Sequence, residues 1–316
     1  MLCASARSHA AALVAACAAA GLLAACGTPV SATSPYPPAG LVLLGLGDGA
    51  VRGSAVVGSD PVAVLVSEDG RTAYVADSSP GDVYAVRIPE LSVAWRQHVG
   101  GAPFGLLLHD GNLLVSLFET PTVAELDPAT GRLLAMHSVC GEPAVMTVDP
   151  RDGVLVACRQ GAAGRLDGTS VAAGEGFGIA VSGGVVWTAG YSRSELVPVS
   201  SGGPVALPAP VSPFWRAAGS GATLLVAAEG HDEDGDPGAV LSYDPMSGTF
   251  RTLATPRDPD QVLQSGQSIF VAAHGDRDVL AIDGASVSRW AMGAAAVGLS
   301  ADPRLNLLVV AVNAHE

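Results

Sequence analysis

The sequence predicts an all-β fold, a seven-bladed β-propeller whose last blade is closed by strands from the N-terminal side. Three observations predict it. The 316-residue chain has 15% charged and 5% aromatic residues but 39 Gly and 22 Pro, which is typical of many short strands and turns. Units of about 40 residues recur along it. The chain ends on two predicted strands, while residues 41–58 hold the two that complete the unit.

The start of the first strand defines each unit. Successive starts lie 42, 40, 33, 37, 46 and 36 residues apart, and this period favours blades of four short strands. The first unit shows the pattern, with an apolar strand at 62–66, a polar turn at Asp69 and Gly70, and a second apolar strand. The predicted starts are Pro61, Pro103, Pro143, Gly176, Pro213, Pro259 and Ala295.

The second strand of every unit carries a small residue at the same height. Such a column predicts close packing between neighbouring blades, because small side chains let two sheets approach each other. The column consists of Ala76, Ser116, Ala157, Ala189, Ala227, Ala272 and Ala311.

An Asp-Pro turn after the third strand occurs at 126–131 (LDPATG) and again at 243–248 (YDPMSG). Asp bonds the backbone ahead of it, Pro fixes φ and Gly accepts positive φ, so the pattern predicts a hairpin. Together with residues 67–77 (SEDGRTAYVAD), these turns resemble the bacterial YVTN-type β-propellers, whose units carry a DG turn, a YV strand and a D-x-x-T-G turn. The resemblance covers residues 41–316 and implies a fold rather than an activity.

Residues 1–25 are predicted to be a lipoprotein signal peptide. Arg7 supplies a positive charge, residues 10–22 form an apolar stretch too short to span a membrane, and residues 23–26 (LAAC) resemble a lipobox. Cys26 is therefore the predicted lipidation site. An ordinary secretory signal is the alternative, and both interpretations export the protein.

Residues 26–40 are predicted to be a lipid anchor and flexible tether, because they are rich in Pro, Ser and Thr. They precede the propeller domain, residues 41–316. We therefore expect a protein of the bacterial cell envelope, attached to the membrane through a lipid at Cys26.

The net charge of −14 repels phosphate backbones and excludes nucleic acid as a partner. The sequence also lacks a Cys-x-x-Cys-His haem motif, a Gly-x-Ser-x-Gly elbow and a Gly-rich phosphate loop. We expect a monomer with no cofactor.

Cys140 and Cys158 are candidates for a disulfide, because the compartment of an exported protein can be oxidising. Both lie near the same predicted face, one at the end of a unit and the other on the second strand of the next. The alternative is two independent small hydrophobic residues.

The loops around one end of the central channel form the predicted ligand site, since propellers usually bind ligands there. The loops that follow the second strands and those that join the blades meet at this end. A wet mouth without specificity is the alternative. The predicted ring contains Phe104, Phe118, Glu142, Arg159, Tyr191, Arg216, Glu229, Asp260, His274 and Asn313.

Two kinds of chemistry are present in this ring. Arg and Tyr can bind an anion, while His and a carboxylate can exchange a proton at neutral pH. The candidate ligand-binding residues are Arg159, Tyr191 and Arg216. The candidate catalytic residues are His274, Asp260 and Glu229.

The segment 231–238 (HDEDGDPG) is the densest acidic run. Asp232, Asp234 and Asp236 alternate as the first three ligands of a calcium loop do. Pro237 stands where that loop needs its turn glycine, and Tyr243 stands where it needs its last Glu. A solvated loop is the favoured interpretation, and we predict no metal site.

Two classes of function remain. The leading hypothesis is a non-enzymatic binding or scaffold module for a protein, peptide or cell-wall partner. The alternative is a hydrolase or lyase at the channel mouth, as in propellers of the gluconolactonase and streptogramin-lyase types. An enzyme predicts acid-base groups that converge in one pocket, whereas a scaffold predicts scattered ones. The missing haem motif disfavours a redox propeller.

Overall fold

The computed structural model describes residues 36–199, 202–208, 212–213, 218–220, 223–230 and 237–314, all within one compact unit. These residues form seven antiparallel sheets arranged as the blades of a β-propeller, so the predicted fold class is confirmed. Within these ranges the secondary structure is strand, apart from one 3-10 turn.

Strands are numbered along the chain, and the blades are numbered from the first complete sheet. The first two strands, β1 (Gly40–Gly45) and β2 (Val51–Val56), belong to blade 7. Blade 1 consists of β3 (Pro61–Val66), β4 (Thr72–Asp77), β5 (Asp82–Arg87) and β6 (Ser92–His98). Blade 2 consists of β7 (Pro103–His109), β8 (Asn112–Leu117), β9 (Thr122–Leu126) and β10 (Leu133–Ser138). Blade 3 consists of β11 (Pro143–Asp149), β12 (Gly153–Cys158), β13 (Ala162–Arg165) and β14 (Ser170–Ala172).

The later blades are less regular. Blade 4 consists of β15 (Ile179–Ser182), β16 (Val185–Gly190), β17 (Glu195–Pro198) and β18 (Val205–Ala206). The innermost strand of blade 5 is in two pieces, β19 (Ser212–Pro213) and β20 (Ala218–Ser220), and is followed by β21 (Thr223–Glu229), β22 (Ala239–Asp244) and β23 (Thr249–Ala254). Blade 6 consists of β24 (Pro259–Ser265), β25 (Ser268–Ala273), β26 (Asp278–Asp283) and β27 (Ser286–Ala291). Blade 7 contains β28 (Ala295–Asp302) and β29 (Leu307–Asn313).

The ring closes as the sequence predicts. Blade 7 has the strand order β2-β1-β29-β28, with Leu41 opposite Ala311 and Val42 opposite Val310. All six residues of β1 are buried. Each fully buried aliphatic side chain contributes about 1.5–3 kcal/mol, so this strand is held by hydrophobic burial as well as by its hydrogen bonds.

The predicted strand starts agree with the structure in most blades. The starts at Pro61, Pro103, Pro143, Pro259 and Ala295 are identical. Blade 5 begins one residue before Pro213, and blade 4 begins at Ile179 rather than Gly176. The segment at Gly176 packs closely against β16, since an added Cβ would lie 2.5 Å from the Ala189 carbonyl oxygen, and glycine fits there because it has no Cβ.

The predicted column of small residues lies between the blades. All seven members are buried, with exposed fractions of 0 to 7%. Ser116 adds a polar link there, since its hydroxyl accepts from Gly105 N at 2.7 Å and donates to Ala144 O at 2.6 Å. Close packing and buried hydrogen bonds therefore join blade 2 to blade 3.

Blade 6 is joined to blade 7 by a buried side-chain amide. Gln261 Nε2 donates to Leu299 O at 2.9 Å, and Leu299 N donates to Gln261 Oε1 at 2.7 Å. The hydroxyl of Ser300 accepts from Val66 N at 2.9 Å and links blade 7 to blade 1. These bonds fix the positions of neighbouring blades relative to one another along the channel axis.

The predicted signal peptide and the lipidation site at Cys26 lie outside the described residues and stay predictions. Within the described ranges, no helix has the length and the apolar character needed to cross a membrane.

Candidate functional site

A repeated backbone hydrogen bond positions the residues at the channel mouth. In several blades the residue after the second strand donates its N–H to the carbonyl of the residue before the first strand. Arg159 N bonds Glu142 O at 3.2 Å. In blade 4, Tyr191 N bonds Glu175 O at 2.9 Å, although Glu175 lies four residues before β15. His274 N bonds Asp258 O at 2.9 Å. The bond therefore places two side chains of each blade beside each other at the mouth.

The residue before the first strand takes an unusual conformation in three blades. Ala102, Glu142 and Asp258 have φ angles of 55°, 52° and 47°. This left-handed conformation is uncommon in residues with a Cβ. It turns the chain sharply into the first strand, where Pro occupies the next position in each of these blades.

Blade 6 contributes two carboxylates and an imidazole. His274 Nδ1 lies 3.3 Å from Asp260 Oδ2 and 3.9 Å from Asp258 Oδ2. One ligand atom from each residue lies within 4.8 Å of the other two, so among the described residues this is the set that can hold a metal ion. Asp260 is only 4% exposed, while Asp258 and His274 are partly exposed.

Blades 4 and 5 add a tyrosine and a third carboxyl group. Tyr191 lies in a 3-10 turn (Tyr191–Arg193) after β16, and its hydroxyl donates to Glu229 Oε2 at 3.0 Å. Glu229 is the last residue of β21. We call Tyr191, Glu229, Asp258, Asp260 and His274 the mouth cluster.

Burial brings two carboxyl groups of the mouth cluster close to neutral pH. Burial and the negative charge of Asp258 raise the pKa of Glu229 to about 8, although the hydrogen bond from Tyr191 opposes the shift. Burial raises the pKa of Asp260 to about 6, although the hydrogen bond with His274 opposes it. Burial and the charge of Glu229 raise the pKa of Tyr191 to about 12. The two carboxyl groups therefore exchange protons between weakly acidic and weakly basic pH.

An aromatic wall lies beside the mouth cluster. Phe104, Phe118 and Phe177 stack with ring centroids 5.3 to 5.7 Å apart, and Phe177 meets the edge of Tyr191 at 5.9 Å. The Arg159 guanidinium lies over Phe177 at 4.9 Å and over Tyr191 at 5.8 Å, which is cation-π geometry. We call the three phenylalanines and Arg159 the aromatic wall.

A disulfide holds the base of the aromatic wall. The structure joins Cys140 to Cys158 with a Cα–Cα distance of 5.8 Å. Cys158 immediately precedes Arg159, and Cys140 lies in the connection that leads to Glu142. The cross-link and the bond from Arg159 N to Glu142 O therefore fix the same junction.

The structure brings together most of the predicted ring. Tyr191, Glu229, Asp260 and His274 meet in the mouth cluster, and Arg159 touches Tyr191. Asn313 lies at the same end of blade 7. It is buried, and its Oδ1 has no hydrogen-bond partner among the described residues. The remaining candidates, Arg216, Asp232, Asp234 and Asp236, lie outside the described residues.

Sequence reasoning missed Asp258 and Phe177. Asp258 directly precedes the predicted start Pro259, and its counterparts in other units are Asp60 and Glu142. A comparison of the residues before each start would therefore have found it. Phe177 follows the predicted start of blade 4, at the position that Phe104 occupies in blade 2.

No protein-family model matches the chain, and no curated protein matches its sequence. Solved structures share its fold. Streptogramin B lyase is 12% identical with a TM-score of 0.66, over 80% of this chain and 93% of that protein. BamB from Moraxella catarrhalis is 14% identical with a TM-score of 0.56, over 90% of this chain and 94% of that protein. Hydrazine synthase from Kuenenia stuttgartiensis is 15% identical with a TM-score of 0.60, over 74% of this chain and 80% of that protein.

At these identities the similarity shows the fold alone. The resemblance to YVTN-type propellers stays a prediction from the sequence motifs.

Proposed function

We propose that the protein is an exported, lipid-anchored propeller that binds a peptide at its channel mouth and does not transform it. The observation that carries the proposal is the division of the mouth into a cationic aromatic wall and an acidic cluster, joined at Tyr191. A peptide end offers a carboxylate or an ammonium group next to apolar side chains. Both halves of the mouth therefore have a complementary group on such a ligand.

The aromatic wall suits the carboxylate and apolar side chains of a peptide. Arg159 is exposed, and its guanidinium lies against two aromatic rings. Stacking on Phe177 and Tyr191 orients the guanidinium while its N–H groups remain available to an anion. Phe118 is partly exposed and offers apolar surface beside it, while Phe104 and Phe177 are buried and support the wall from within.

The mouth cluster suits an ammonium group. Glu229 and Asp260 have raised pKa values of about 8 and about 6 because burial penalises their charged forms. A bound cation stabilises those charged forms and lowers both pKa values. Binding therefore releases protons near neutral pH, and the affinity for an ammonium group rises as pH increases from about 6 to 8.

Calorimetry with a free tripeptide, Ala-Phe-Ala, tests this proposal. The full-length protein in detergent is titrated with the peptide, with its N-acetylated form and with its C-terminal amide. We expect Arg159→Gln to weaken binding of the free peptide roughly tenfold or more and to leave the amide unaffected. We expect Glu229→Gln to weaken binding of the free peptide and to leave binding of the acetylated form unchanged.

Arg132→Gln is the matched control, since Arg132 is exposed in a turn at the other end of the propeller. It should bind all three peptides as the wild type does. Equal affinities of the wild type and Arg159→Gln for the free peptide would contradict a carboxylate site on the aromatic wall.

A hydrolase or lyase is the second candidate, because the acid-base groups converge as the enzyme hypothesis predicts. The mouth cluster joins Tyr191, Glu229 and His274 across three blades. One protein of the same fold is named a lyase. Binding needs only the charges that are present, whereas catalysis also needs a scissile bond held within reach of His274. Turnover of a lactone or cyclic depsipeptide that is abolished by His274→Ala would establish the enzyme instead.

A further inference from the structure

A groove of about 680 Å³ opens between blades 1 and 2, at the end of the propeller opposite the channel mouth. It lies at that end because the turns that line it, 67–71, 109–111 and 127–131, join strands away from the mouth. Its volume is within the range of small-ligand sites. The groove is separate from the mouth cluster, and the proposed function does not use it.

Two aromatic residues form the floor of this groove. Tyr74 and Trp95 have ring centroids 6.0 Å apart. The Tyr74 hydroxyl and Trp95 Nε1 both donate to Pro128 O, at 3.3 and 3.1 Å. Their polar atoms are therefore tied to blade 2. Tyr74 is only 5% exposed, so the partly exposed Trp95 provides the apolar surface at the base of the groove.

Carboxylates rise on both sides of this floor. Glu68 and Asp69 come from the β3–β4 turn of blade 1, and Asp110 comes from the β7–β8 turn of blade 2. The Ser67 hydroxyl and the Arg71 N–H hold the pKa of Asp69 below its ordinary value, so Asp69 is ionised at neutral pH. The groove therefore has anionic groups on opposite rims.

Arg71 and Arg304 act on Asp69 from outside the groove, and two further side chains that can carry positive charge line it. Arg87 lines the groove, and His109 lies 3.3 Å from Asp110. Arg304 stands nearby, but its guanidinium pairs with Asp302 at 2.9 Å and also bonds the Glu68 carbonyl oxygen. Arg71 belongs to the same turn as Asp69 but does not line the groove. Three carboxylates thus face one guanidinium and one imidazole.

We propose that this groove binds a basic peptide segment of a protein partner, with a Lys or Arg side chain against Trp95 and between Glu68 and Asp110. An aromatic surface attracts a cation through its negative ring face, and carboxylates on two rims pair with its N–H groups. The protein's net charge of −14 draws such a segment toward it at low ionic strength. A neutral sugar can stack on Trp95 and donate hydrogen bonds to the carboxylates, but it forms no ion pair with them.

Titration of the full-length protein in detergent with acetyl-trilysine amide tests the proposal by calorimetry. We expect binding that weakens as salt is raised, because the contacts are partly exposed charge pairs. Glu68→Gln and Asp110→Asn should each weaken it roughly two- to fivefold, and together by more. Both residues are exposed, so these variants keep the fold.

The controls separate this groove from the mouth. Because the mouth cluster also attracts ammonium groups, these titrations are made in the Glu229→Gln background. In that background Glu119→Gln, which removes an exposed carboxylate at the mouth end, should leave trilysine binding unchanged. The proposal is overturned if the double variant Glu68→Gln with Asp110→Asn binds trilysine like the wild type, or if no binding occurs at millimolar peptide. It is also overturned if acetyl-triglutamate amide or a neutral trisaccharide binds as tightly as trilysine.

Discussion

The pKa of Glu229 is shifted further from its ordinary value than that of Asp260, the other buried carboxyl group of the mouth. Its pKa in the folded protein is about 8, above the ordinary value of 4.5, because it is buried beside Asp258. Between these two values the folded protein binds more protons than the unfolded chain. The stability contributed by protonated Glu229 is therefore full below about pH 4.5 and is lost as pH rises through about 8.

We predict that Glu229→Gln flattens the dependence of melting temperature on pH. Glutamine resembles the protonated carboxyl group and can still accept the bond from Tyr191. The melting temperature of the wild type should fall between pH 5 and pH 9, and the melting temperature of the variant should fall less over the same range. Thermal unfolding followed by circular dichroism, in EDTA, measures this.

Glu119→Gln serves as the control for that series, because Glu119 is exposed at the same end of the propeller. Its melting temperature should follow the wild type at every pH. A Glu229→Gln profile parallel to the wild type would show that Glu229 does not titrate in this range.

The repeat made most of the mouth residues predictable. Arg159, Tyr191 and His274 each follow a second strand, and that position is set once the units are aligned. Their contacts were not predictable, because the distances between side chains depend on rotamers and on how the blades are tilted. Asp258 was not predicted, because the residues before the starts, such as Asp60, Ala102 and Glu142, share no residue type.

Single hydrogen-bonded side chains hold neighbouring elements together. We predict that Gln261→Ala lowers the free energy of unfolding by about 2–5 kcal/mol, because it leaves Leu299 N–H and C=O without their partners in a buried site. Urea unfolding measures this. Gln264→Ala, on the same strand but bonded to Gly266 O within its own turn, should cost far less. Equal costs would remove the argument that Gln261 joins blades 6 and 7.

The disulfide gives a second prediction for an element. Cys140 and Cys158 are 18 residues apart, and closing a loop of about this length stabilises a fold by about 3 kcal/mol. Reductant should therefore lower the free energy of unfolding of the wild type by about that amount. The Cys140→Ser variant should not respond to reductant. A wild type that unfolds identically with and without reductant would show that the two sulfurs are not bonded.

Element boundaries were predictable where Pro marks the start of a strand. Pro103, Pro143 and Pro259 begin β7, β11 and β24 as expected, because Pro takes the first position of an edge strand without losing a ladder bond. Blade 4 lacks such a Pro, and its first strand begins three residues later than the start assigned at Gly176. The division of the inner strand of blade 5 into β19 and β20 had no signal in the sequence pattern.

For the molecule as a whole, the split last blade was the most predictable feature. The segment that begins with Leu41 and the final strands each lack half of a unit, and an unpaired sheet edge is a liability that proteins avoid. The charged and aromatic groups at the two ends of the ring were less predictable, because propeller repeats specify packing and not ligands.

We predict that Cys26→Ser releases the protein from the membrane fraction and abolishes acyl labelling. The signal peptide, lipobox and tether occur in the order that lipidation requires. Fractionation with labelled palmitate measures both effects. Cys17→Ser is the matched control, because residues 14–17 (VAAC) also fit the lipobox pattern, and this variant should remain labelled. Persistent labelling of Cys26→Ser would place the anchor at another residue.

Hydrogen exchange of the full-length protein, with and without saturating Ala-Phe-Ala, is the most direct test of the proposed peptide site at the channel mouth. The proposal predicts slower exchange at residues 189–193, 227–230, 257–260 and 273–276, where the mouth cluster and its flanking backbone lie. Exchange in the turns at the opposite end, 67–71 and 109–111, should be unchanged. Protection confined to those turns, or no protection anywhere, would contradict a peptide site at the channel mouth.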